Sequence, residues 1–359
     1  MKSQEQLLES IERFQESFWN RKSTCRPPVG VYDEAISLPI DFLRRPFTRL
    51  TVRPEDVTGN LVATEYEYCF AKRTVLRDDY MAFSAAWRGV PWLEAICGCP
   101  VRFADGSLAP GHIASSTAEL DQIPIPAGNT WLDCMRRETE RIVAQSPADC
   151  WASPSILRGS SDALAALRGM TEFFLDLHDD LPAVKRAATR VNQALMNAID
   201  VHYSVVPPKL GGYGHLFGHW APDKTFMLQE DALGMCAPSI YREIFMPLNA
   251  AVVNHLGPCV FFHFHSTGHK HYRDVLDIPG IAGLQMSMES VGPTILDMIP
   301  VFREILEHSR LMLQVCTGFE HLPEVLRRLP LEGLYLLIPS KYIPTDRAFT
   351  QFVAANLSV

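Results

Sequence analysis

Predicted strands and helices alternate regularly after residue 250, and this alternation limits the fold more than any other feature of the sequence. The predicted strands begin near Val260, Gly283, Leu311 and Leu334, at intervals of 23, 28 and 23 residues. The predicted helices between them span His269 to Leu276, Thr294 to His308 and His321 to Leu329. Such spacing is typical of parallel strands joined by right-handed crossovers. Because similar but less regular units come before residue 250, the pattern favours a closed α/β fold, a (β/α)8 TIM barrel, over an open sheet.

The length of 359 residues fits one barrel with insertions as well as it fits two domains. We predict a single domain over residues 1–359, in which residues 1–27 form an N-terminal helix and extension. Apolar residues recur there at helical spacing, opposite a face of Glu and Arg: Leu7, Leu8, Ile11, Phe14 and Phe18. Arg26-Pro27-Pro28 then ends any helix.

Before residue 250 the pattern is less regular. The segments Val29 to Tyr32 and Asp149 to Leu157 are predicted strands. The segment Leu61 to Arg73 fits a strand or a helix, and the period of two in its apolar residues favours a strand. Frequent Gly, Pro and Ser residues predict loops between Phe103 and Thr130, and a loop rich in Gly and aromatic residues is predicted over Gly211 to Trp220. The second half of the predicted barrel is therefore better defined than the first.

Charge and composition exclude several classes of protein. The formal net charge is -8 and no run of Lys or Arg occurs, so a nucleic-acid footprint is absent. No apolar run approaches the length that spans a bilayer, and the N-terminus lacks the apolar core of a signal peptide. Nine cysteines without a paired framework fit a reducing compartment, so we predict a cytoplasmic protein. No glycine-rich phosphate-binding motif follows any predicted strand.

Two histidines, His263 and His265, end the predicted strand in the segment CVFFHFHSTGHKH. Residues i and i+2 of a strand point to the same side, so both imidazoles face one space. Ser266-Thr267-Gly268 then ends the strand before a helix, and α/β enzymes place their catalytic groups at such strand ends. The alternative interpretation is a pair of buried core histidines.

In a closed barrel, the polar residues at the carboxyl ends of the strands share one site. Those that follow the predicted strands are Arg158, Gln229, Glu230, Asp231, His263, His265, Ser287, Glu289, Cys316, Thr317, Ser340 and Lys341. Imidazoles, a thiol and a carboxylate suit Zn²⁺, which accepts N, S and O ligands. A catalytic zinc ion keeps one position open to activate a thiol or polarise a substrate. The alternative is a metal-free site in which cations and polar groups bind a polycarboxylate.

Six segments resemble the uroporphyrinogen decarboxylase superfamily, which includes corrinoid-dependent methyltransferases. They are MAFSAAWRGVPWLEAICGCPV, SILRGSSDALAALRG, WAPDKTFMLQED, FHFHSTG, LQVCTG and LIPSKYIPTD. The resemblance runs from about Pro28 to Phe352, and its weight comes from the order and spacing of these segments. It implies a single (β/α)8 barrel.

The sequence departs from true decarboxylases at their functional motifs. Their arginine-rich motif RQAGRY corresponds to RPPVGVY after Cys25, and the catalytic aspartate of their FSDI segment corresponds to Ala85. The histidine of their GHG-like turn is replaced around Ser340 and Lys341. Because Ala85 cannot orient pyrrole N–H groups as a carboxylate does, the comparison argues against porphyrinogen decarboxylation.

The methyltransferase branch binds zinc through a His-x-Cys pair on the strand that matches FHFHSTG, and through a later Cys in a GCG-like turn. His263 occupies the histidine position, His265 stands at the first cysteine position, and the later cysteine is replaced near Ser340. Cys316, one strand before that turn, is a candidate substitute ligand, with a buried thiol as the alternative. Glu230 is a further candidate ligand.

The resemblance therefore implies an enzyme that moves a methyl group between a small methylated substrate, such as an O-methyl ether or a thiol, and a corrinoid. A separate partner protein would carry the corrinoid, and His263, His265 and either Cys316 or Glu230 would hold zinc. The residues expected to position the substrate or donate protons are Glu94, Arg158 and Asp231. The expected substrate contacts are Trp220, Gln229, Ser287, Glu289 and Lys341.

Two alternative functions remain open from the sequence. One is uroporphyrinogen decarboxylase itself, which needs neither metal nor cofactor. The other is a non-catalytic barrel that docks a corrinoid protein. A homodimer is also left open.

Overall fold

The structure is a computed structural model, and it describes residues 2–23, 26–33, 50–59, 62, 78–104, 106–120, 122–123, 128–289 and 291–356. The predicted strand Leu61 to Arg73 lies outside these residues except for Val62, which is helical, and the rest of the segment stays a prediction. The described residues contain strands β1 to β13, which span Val29–Tyr32, Leu50–Val52, Ala82–Ser84, Val101–Ala104, Ser107–Pro110, Cys150–Ala152, Tyr213–Gly214, Trp220–Ala221, Thr225–Gln229, Cys259–His265, Gly283–Ser287, Met312–Cys316 and Leu334–Pro339.

Six of these strands form one parallel sheet in the order β1-β13-β12-β11-β10-β9. The four strands predicted after residue 250 are confirmed as β10 to β13, each beginning within one residue of its predicted start. Strands β3 and β6 form a separate parallel pair, β2, β4 and β5 form an antiparallel sheet, and β7 pairs with β8. The chain is thus a mixed α/β protein built mainly on parallel strands.

The strands of the main sheet are buried on both faces, as is usual for parallel strands covered by helices. In β10, Val260 and Phe262 belong to a large apolar cluster that includes many helix residues, whereas Phe261 belongs to a second, smaller cluster. This alternation is the period of two expected for a strand. It follows that His263 and His265 lie on the same side of the sheet as Phe261.

Helices connect the parallel strands. The α-helices among the described residues span Gln4–Arg13, Trp92–Ile96, Thr117–Leu120, Thr130–Gln145, Ser160–Arg168, Met170–Asp179, Leu181–Val205, Pro238–Ile240, Met246–Leu256, Tyr272–Leu276, Ile299–Arg303, Leu322–Arg328 and Asp346–Asn356. Short π-helical turns span Phe14–Trp19, Tyr241–Phe245 and Glu304–His308, and 3-10 turns span Pro54–Asp56, Asp231–Met235, Ser266–His271, Phe319–His321 and Ser340–Tyr342. The helix predicted from Thr294 begins only at Ile299, because Thr294 and Asp297 first bond to each other in a local turn.

The loop predicted between Phe103 and Thr130 is wrong in its first part. Strands β4 and β5 form a hairpin in which Val101 lies opposite Pro110. Its turn includes Gly106, with φ 78°, a conformation that glycine adopts without strain. The Asp-Gly dipeptide at 105–106 is a hairpin signal that the surrounding Gly, Pro and Ser residues obscured.

Two other predictions need smaller corrections. The strand predicted over Asp149 to Leu157 is shorter in the structure, where only β6 is a strand. The loop predicted over Gly211 to Trp220 contains the short strand β7.

The predicted N-terminal helix is confirmed, and it packs on the smaller apolar cluster. A capping box formed by Ser3 and Gln6 fixes its start. The ring of Phe14 meets that of Tyr335 edge to face, with centroids 5.0 Å apart, and the ring of Phe18 stacks on that of Phe261 at 5.9 Å. The helix therefore covers residues of β10 and β13 that lie on the same side of the sheet as the two histidines.

A buried carboxylate, that of Asp79, joins the helix, the extension and the first strand. Its oxygens accept hydrogen bonds from Arg13 Nε at 2.8 Å, Arg26 Nη1 at 2.6 Å and the Val29 backbone N–H at 3.0 Å. Burial alone would raise the pKa of Asp79, but the two arginines outweigh burial and lower the pKa below its ordinary value. The carboxylate is therefore ionised and anchors three parts of the chain.

The loop before β9 is largely buried and bonds to residues of the main sheet. We call residues 215–219 the inner loop. The Gly218 carbonyl accepts hydrogen bonds from the Met81 N–H at 2.8 Å and from Tyr335 Oη at 3.1 Å. The His219 ring lies 3.2 Å both from Gln314 Oε1 and from Thr225 Oγ1. The inner loop is thus fixed by residues of several strands.

Replacement of Gly218 by alanine is expected to destabilise the fold strongly. Gly218 has φ 72°, and an added Cβ would overlap the Tyr80 ring. Gly211 is a matched control, because its φ is 77° and nothing lies within 4 Å of a Cβ added there. Denaturant unfolding should show that Gly218→Ala costs about 1–3 kcal/mol more than Gly211→Ala, which is the usual penalty of overpacking. Equal losses in the two variants would mean that the inner loop is not tightly packed.

Among the described residues, no helix combines the length and the apolar character that crossing a membrane requires.

Candidate metal centre at the strand ends

Three side chains at the carboxyl ends of neighbouring strands converge at one point: those of Asp231, His263 and His265. One potential ligand atom from each lies within 4.8 Å of the other two. The strand register explains the convergence, because Gln229 at the end of β9 pairs with His263 in β10. Asp231 follows Gln229 by two residues, as His265 follows His263.

The two histidines present the same ring nitrogen to each other. Their Nε2 atoms lie 3.1 Å apart. The Nδ1 atom of His263 contacts Gln285 Oε1, and the Gln285 amide nitrogen donates to Ser287 Oγ at 3.1 Å and to Cys316 Sγ at 3.5 Å. With the amide in this orientation, its oxygen accepts the Nδ1–H of His263. The Nε2 atom of His263 is therefore the nitrogen with the free lone pair.

His265 is oriented in the same way by a carboxylate. Its Nδ1 contacts Glu289 Oε1, and its Nε2 lies 3.6 Å from Asp231 Oδ1. Glu289 is itself held by a hydrogen bond from its backbone N–H to Ser266 Oγ at 3.1 Å. A carboxylate on the outer nitrogen of a histidine is the usual arrangement around a metal ligand, because it fixes both the tautomer and the ring direction.

Two facing lone pairs repel each other unless something positive lies between them. A shared proton or a bound cation between the two Nε2 atoms removes this repulsion. Burial lowers the pKa of His263 to about 4, so this ring is neutral at physiological pH. Two nitrogens bound at about 2.0–2.1 Å to a tetrahedral ion lie about 3.3 Å apart, close to the separation observed here. Together with the Asp231 carboxylate, the histidines form an N,N,O donor set of the kind found in catalytic zinc sites.

Cys316, a predicted ligand, lies beside this group but is not one of the three converging residues. Its thiol accepts hydrogen bonds from Gln285, Ser287 and Tyr32. Burial raises its pKa to about 11, so it remains a thiol at neutral pH in this arrangement. Through Gln285 it is linked to His263 indirectly. The seven cysteines among the described residues are all unpaired.

Glu230, the other predicted ligand, points away from the histidines. Its carboxylate accepts hydrogen bonds from the Ser160 N–H at 3.2 Å and the Ser161 N–H at 2.8 Å, at the start of helix Ser160–Arg168. A Cβ on Gly159 would overlap this carboxylate, so only glycine fits there. Burial, and secondly the neighbouring Asp162, raise the pKa of Glu230 to about 8. Adjacent residues at a strand end point in opposite directions, which is why Asp231 faces the histidines instead.

Asp162, which the sequence did not single out, holds the backbone of that turn. Its carboxylate accepts the N–H of Asp231 at 2.9 Å and the N–H of Ala232 at 2.6 Å. Gln229, a predicted substrate contact, also supports Asp231, since its Nε2 donates to Asp231 Oδ2 at 2.8 Å. These three bonds fix where the Asp231 carboxylate lies.

Three other predicted site residues lie apart from the histidines. Glu94 is buried and forms an ion pair with Arg158. Among the described hydrogen bonds and ion pairs, neither residue contacts His263 or His265. Burial raises the pKa of Glu94, although Arg158 opposes the shift. Trp220 belongs to the smaller apolar cluster, and its carbonyl accepts a hydrogen bond from Trp19 Nε1 at 2.7 Å. The structure thus gives Trp220 a packing role.

A cavity of about 780 Å³ opens next to the three converging residues. Its lining includes Tyr32, Ser287, Glu289, Cys316, Ser340 and Lys341. Its volume falls in the range of about 300–1,000 Å³ that is usual for small-molecule sites. Three predicted substrate contacts, Ser287, Glu289 and Lys341, therefore share one cavity. Glu289 belongs both to this lining and to the surroundings of His265.

Gln285 is the most important site residue that the sequence did not indicate. It is fully buried in the middle of β11, two residues before Ser287 on the same side of the strand. A glutamine in an otherwise apolar buried strand was the available signal, because a buried amide needs partners. Phe217 in the inner loop was also missed, and its contact with His263 depends on residues that are distant in the sequence.

Replacement of Gln285 by methionine is expected to weaken Zn²⁺ binding by about 10–100-fold, the usual effect of losing an outer partner of a ligating histidine. The methionine keeps the volume but removes the acceptor of the His263 Nδ1–H. Asn249→Leu is a matched control, because Asn249 is equally buried and lies in helix Met246–Leu256. Zn²⁺ affinity, measured by competition with a chromophoric chelator, should fall only in Gln285→Met. Equal affinities in both variants would show that the amide does not orient a ligand.

Comparisons with known proteins give a similarity of fold. No protein-family model matches the sequence, and none of the curated proteins searched matches it. A solved structure described as a methyltransferase from Methanosarcina mazei superposes with a TM-score of 0.61, over 98% of this chain and 97% of that chain. The two sequences are 13% identical, so the similarity establishes a shared fold.

Proposed function

We propose that this chain is a zinc-dependent methyltransferase of the corrinoid-dependent branch of the uroporphyrinogen decarboxylase superfamily. It would move a methyl group between a small methylated substrate, such as an O-methyl ether or a thiol, and a corrinoid carried by a separate protein. The observation that carries the proposal is the pair of Nε2 atoms 3.1 Å apart, each on a ring whose other nitrogen is held by an outer acceptor. The methyltransferase from Methanosarcina mazei, which shares the fold, supports the reaction class.

Asp231, His263 and His265 would hold the zinc ion, in place of the set with Cys316 or Glu230 that the sequence favoured. A bound zinc ion supplies a Lewis acid, which stabilises negative charge on a heteroatom. Gln285 and Glu289 keep both imidazoles in the tautomer with a free Nε2 lone pair. Asp162 and Gln229 hold Asp231. These residues keep the donor set in place before any substrate arrives.

The cavity next to this donor set is the proposed substrate site. Glu289 lines the cavity and also contacts His265. A substrate bound in the cavity would therefore have its heteroatom close to His265. Ser287 and Lys341 line the cavity too and would orient the polar parts of the substrate. When the methyl group passes to the corrinoid cobalt, the heteroatom keeps the bonding electron pair. The charge that it gains explains the need for a nearby cation.

A closed (β/α)8 barrel is the fold that we propose around this site. Strands β1 and β9 are the two edges of the six-stranded sheet, and residues just before β3 and shortly after β6 bond to them. The Asp79 N–H donates to the Val29 carbonyl at 2.7 Å, ahead of β3, and the Gly159 N–H donates to the Gln229 carbonyl at 2.6 Å, after β6. These bonds support closure by eight parallel strands.

A corrinoid protein would dock at the end of the barrel where the substrate enters. Four exposed apolar residues lie in segments that follow the carboxyl ends of the strands: Met235, Val291, Leu296 and Tyr342. Exposed apolar groups around a site are typical of a surface that contacts another protein. We place the reaction in the cytoplasm, which the unpaired state of the seven described cysteines supports.

Metal analysis followed by a methyl-transfer assay tests the proposal. Protein purified without chelators and dialysed against micromolar ZnSO4 should retain one zinc per chain. With free cob(I)alamin as acceptor and methanol or an aryl methyl ether as donor, the absorption spectrum of methylcobalamin should develop only with the zinc-loaded protein. A protein that retains no zinc after this treatment would contradict the proposal, because the two histidines would then share a proton instead.

A further inference from the structure

We infer that the inner loop forms the floor of the metal centre and that Phe217 is a positioning residue for His263. This inference rests on the proposed metal-binding function of His263. The sequence predicted a loop rich in Gly and aromatic residues here but did not relate Phe217 to His263, which follows it by 46 residues.

The geometry places an aromatic ring directly against one face of the ligand ring. The Phe217 and His263 ring centroids are 5.6 Å apart, and the two planes differ by 17°. The inner loop precedes β9, so it approaches from the amino-terminal end of the strand, whereas the candidate metal ligands lie at the carboxyl end. Phe217 contacts the His263 ring and is not among the residues that line the substrate cavity.

The backbone that carries Phe217 is held on both sides of the residue. Its own carbonyl accepts a hydrogen bond from Gln314 Nε2 at 3.1 Å. The next carbonyl, that of Gly218, is held by Met81 and Tyr335, as described above. Behind it, the ring of His219 packs at a centroid distance of 5.2 Å from the ring of Phe261, two residues before His263. Because the backbone of Phe217 is fixed in this way, its ring fixes the position of the His263 ring that stacks on it.

Two independent contacts then define the orientation of His263. Gln285 holds Nδ1 and sets the rotation of the imidazole in its own plane. Phe217 covers one face and blocks tilting of the ring out of that plane. Both the rotation and the tilt of the ring affect metal binding, because the lone pair of Nε2 lies in the ring plane and must point at the ion. Removing either contact should therefore weaken metal binding, even though neither residue touches the metal.

The test compares Phe217→Leu, Phe217→Tyr and a matched control, Phe174→Leu. Phe174 also packs its ring against another aromatic ring, that of Phe173 at 5.3 Å, but it lies in helix Met170–Asp179. We expect the Zn²⁺ dissociation constant of Phe217→Leu to rise about 10-fold or more, the lower end of the effect of outer partners on metal ligands. Phe217→Tyr, which keeps the ring, and Phe174→Leu should bind Zn²⁺ like the wild type. If Phe217→Leu folds poorly, Phe217→Met replaces it.

A second measurement separates this inference from the proposed function. In metal-free protein, the ring current of Phe217 should shift the His263 ring-proton NMR signals, and Phe217→Leu should remove that shift while Phe217→Tyr retains it. Unchanged signals or an unchanged Zn²⁺ dissociation constant in a folded Phe217→Leu protein would overturn the inference. A wild-type protein that binds no Zn²⁺ but shows the ring-current effect would defeat the metal function and leave the positioning contact intact.

Discussion

His263→Ala is expected to weaken Zn²⁺ binding more than about 100-fold and to abolish methyl transfer. Loss of an outer partner costs about 10–100-fold in metal affinity, so loss of the ligand itself must cost more. The alanine also removes the nitrogen that faces His265 Nε2 at 3.1 Å. With only His265 and Asp231 left, the remaining donors are 33% and 38% exposed and compete with water for the ion. Isothermal titration with ZnSO4 and the cobalamin assay measure the two effects.

His202→Ala is the control for this experiment. His202 is as buried as His263, and burial lowers its pKa to about 3, but it lies in helix Leu181–Val205. Both substitutions leave a cavity and should lower the melting temperature, yet only His263→Ala should lose zinc. Retention of stoichiometric zinc and of full activity by His263→Ala would exclude the candidate metal centre. The metal-free alternative, in which a proton joins the histidines, would then explain their contact.

Asp79→Asn is expected to destabilise the folded protein by about 3–5 kcal/mol, the usual result of removing one partner from a buried ion pair. The substitution removes the buried counter-ion of Arg13 and Arg26, whose side chains are largely covered, and leaves Arg13 its contact with the exposed Glu9 at 3.7 Å. It also weakens the acceptor of the Val29 N–H. Urea unfolding at neutral pH measures the loss.

The loss should depend on pH with a definite sign. The pKa of Asp79 is lowered in the folded state, so its charge stabilises the protein above the pKa of an unfolded aspartate, about 3.9. That stabilisation disappears as the pH falls through the lowered folded-state value. The gap in unfolding free energy between wild type and Asp79→Asn should therefore be constant above about pH 5 and shrink in stronger acid.

An exposed carboxylate serves as the comparison for Asp79. Asp200→Asn removes a surface partner of His255, and its effect should stay below about 1 kcal/mol, as for most surface ion pairs. A similar small effect in Asp79→Asn would mean that the N-terminal extension is held by its apolar contacts alone.

The sequence predicted the fold best where its pattern was least interrupted. Strands β10 to β13 were found because buried runs of five to seven residues alternate there with helical segments. Strands β3 and β6 have three residues each, too few to show a period. The hairpin β4–β5 was missed because its turn residues also suit a loop. Short strands take their structure from tertiary pairing, which local patterns do not record.

The candidate site was predicted in part for a similar reason. The spacing of His263 and His265 places them on one side of a strand, and the structure brings them together. The sequence does not show whether Glu230 or the adjacent Asp231 faces the histidines. In the fold, Glu230 instead accepts a hydrogen bond from the backbone at the start of helix Ser160–Arg168. Gln285 and Phe217 act through contacts across strands and loops, and of the two only Gln285, a polar residue in an apolar buried strand, gave a signal in the sequence.

The pairing of β1 with β13 has a consequence for how the chain is made. Val29 in β1 lies opposite Leu336 in β13, so neighbours in the sheet are separated by most of the polypeptide. A ribosome exposes β1 long before β13 is synthesised, and β1 must wait without this partner until then. Such distant pairings slow folding and leave apolar edges exposed in the meantime. The nascent chain is therefore expected to depend on chaperones until translation passes residue 339.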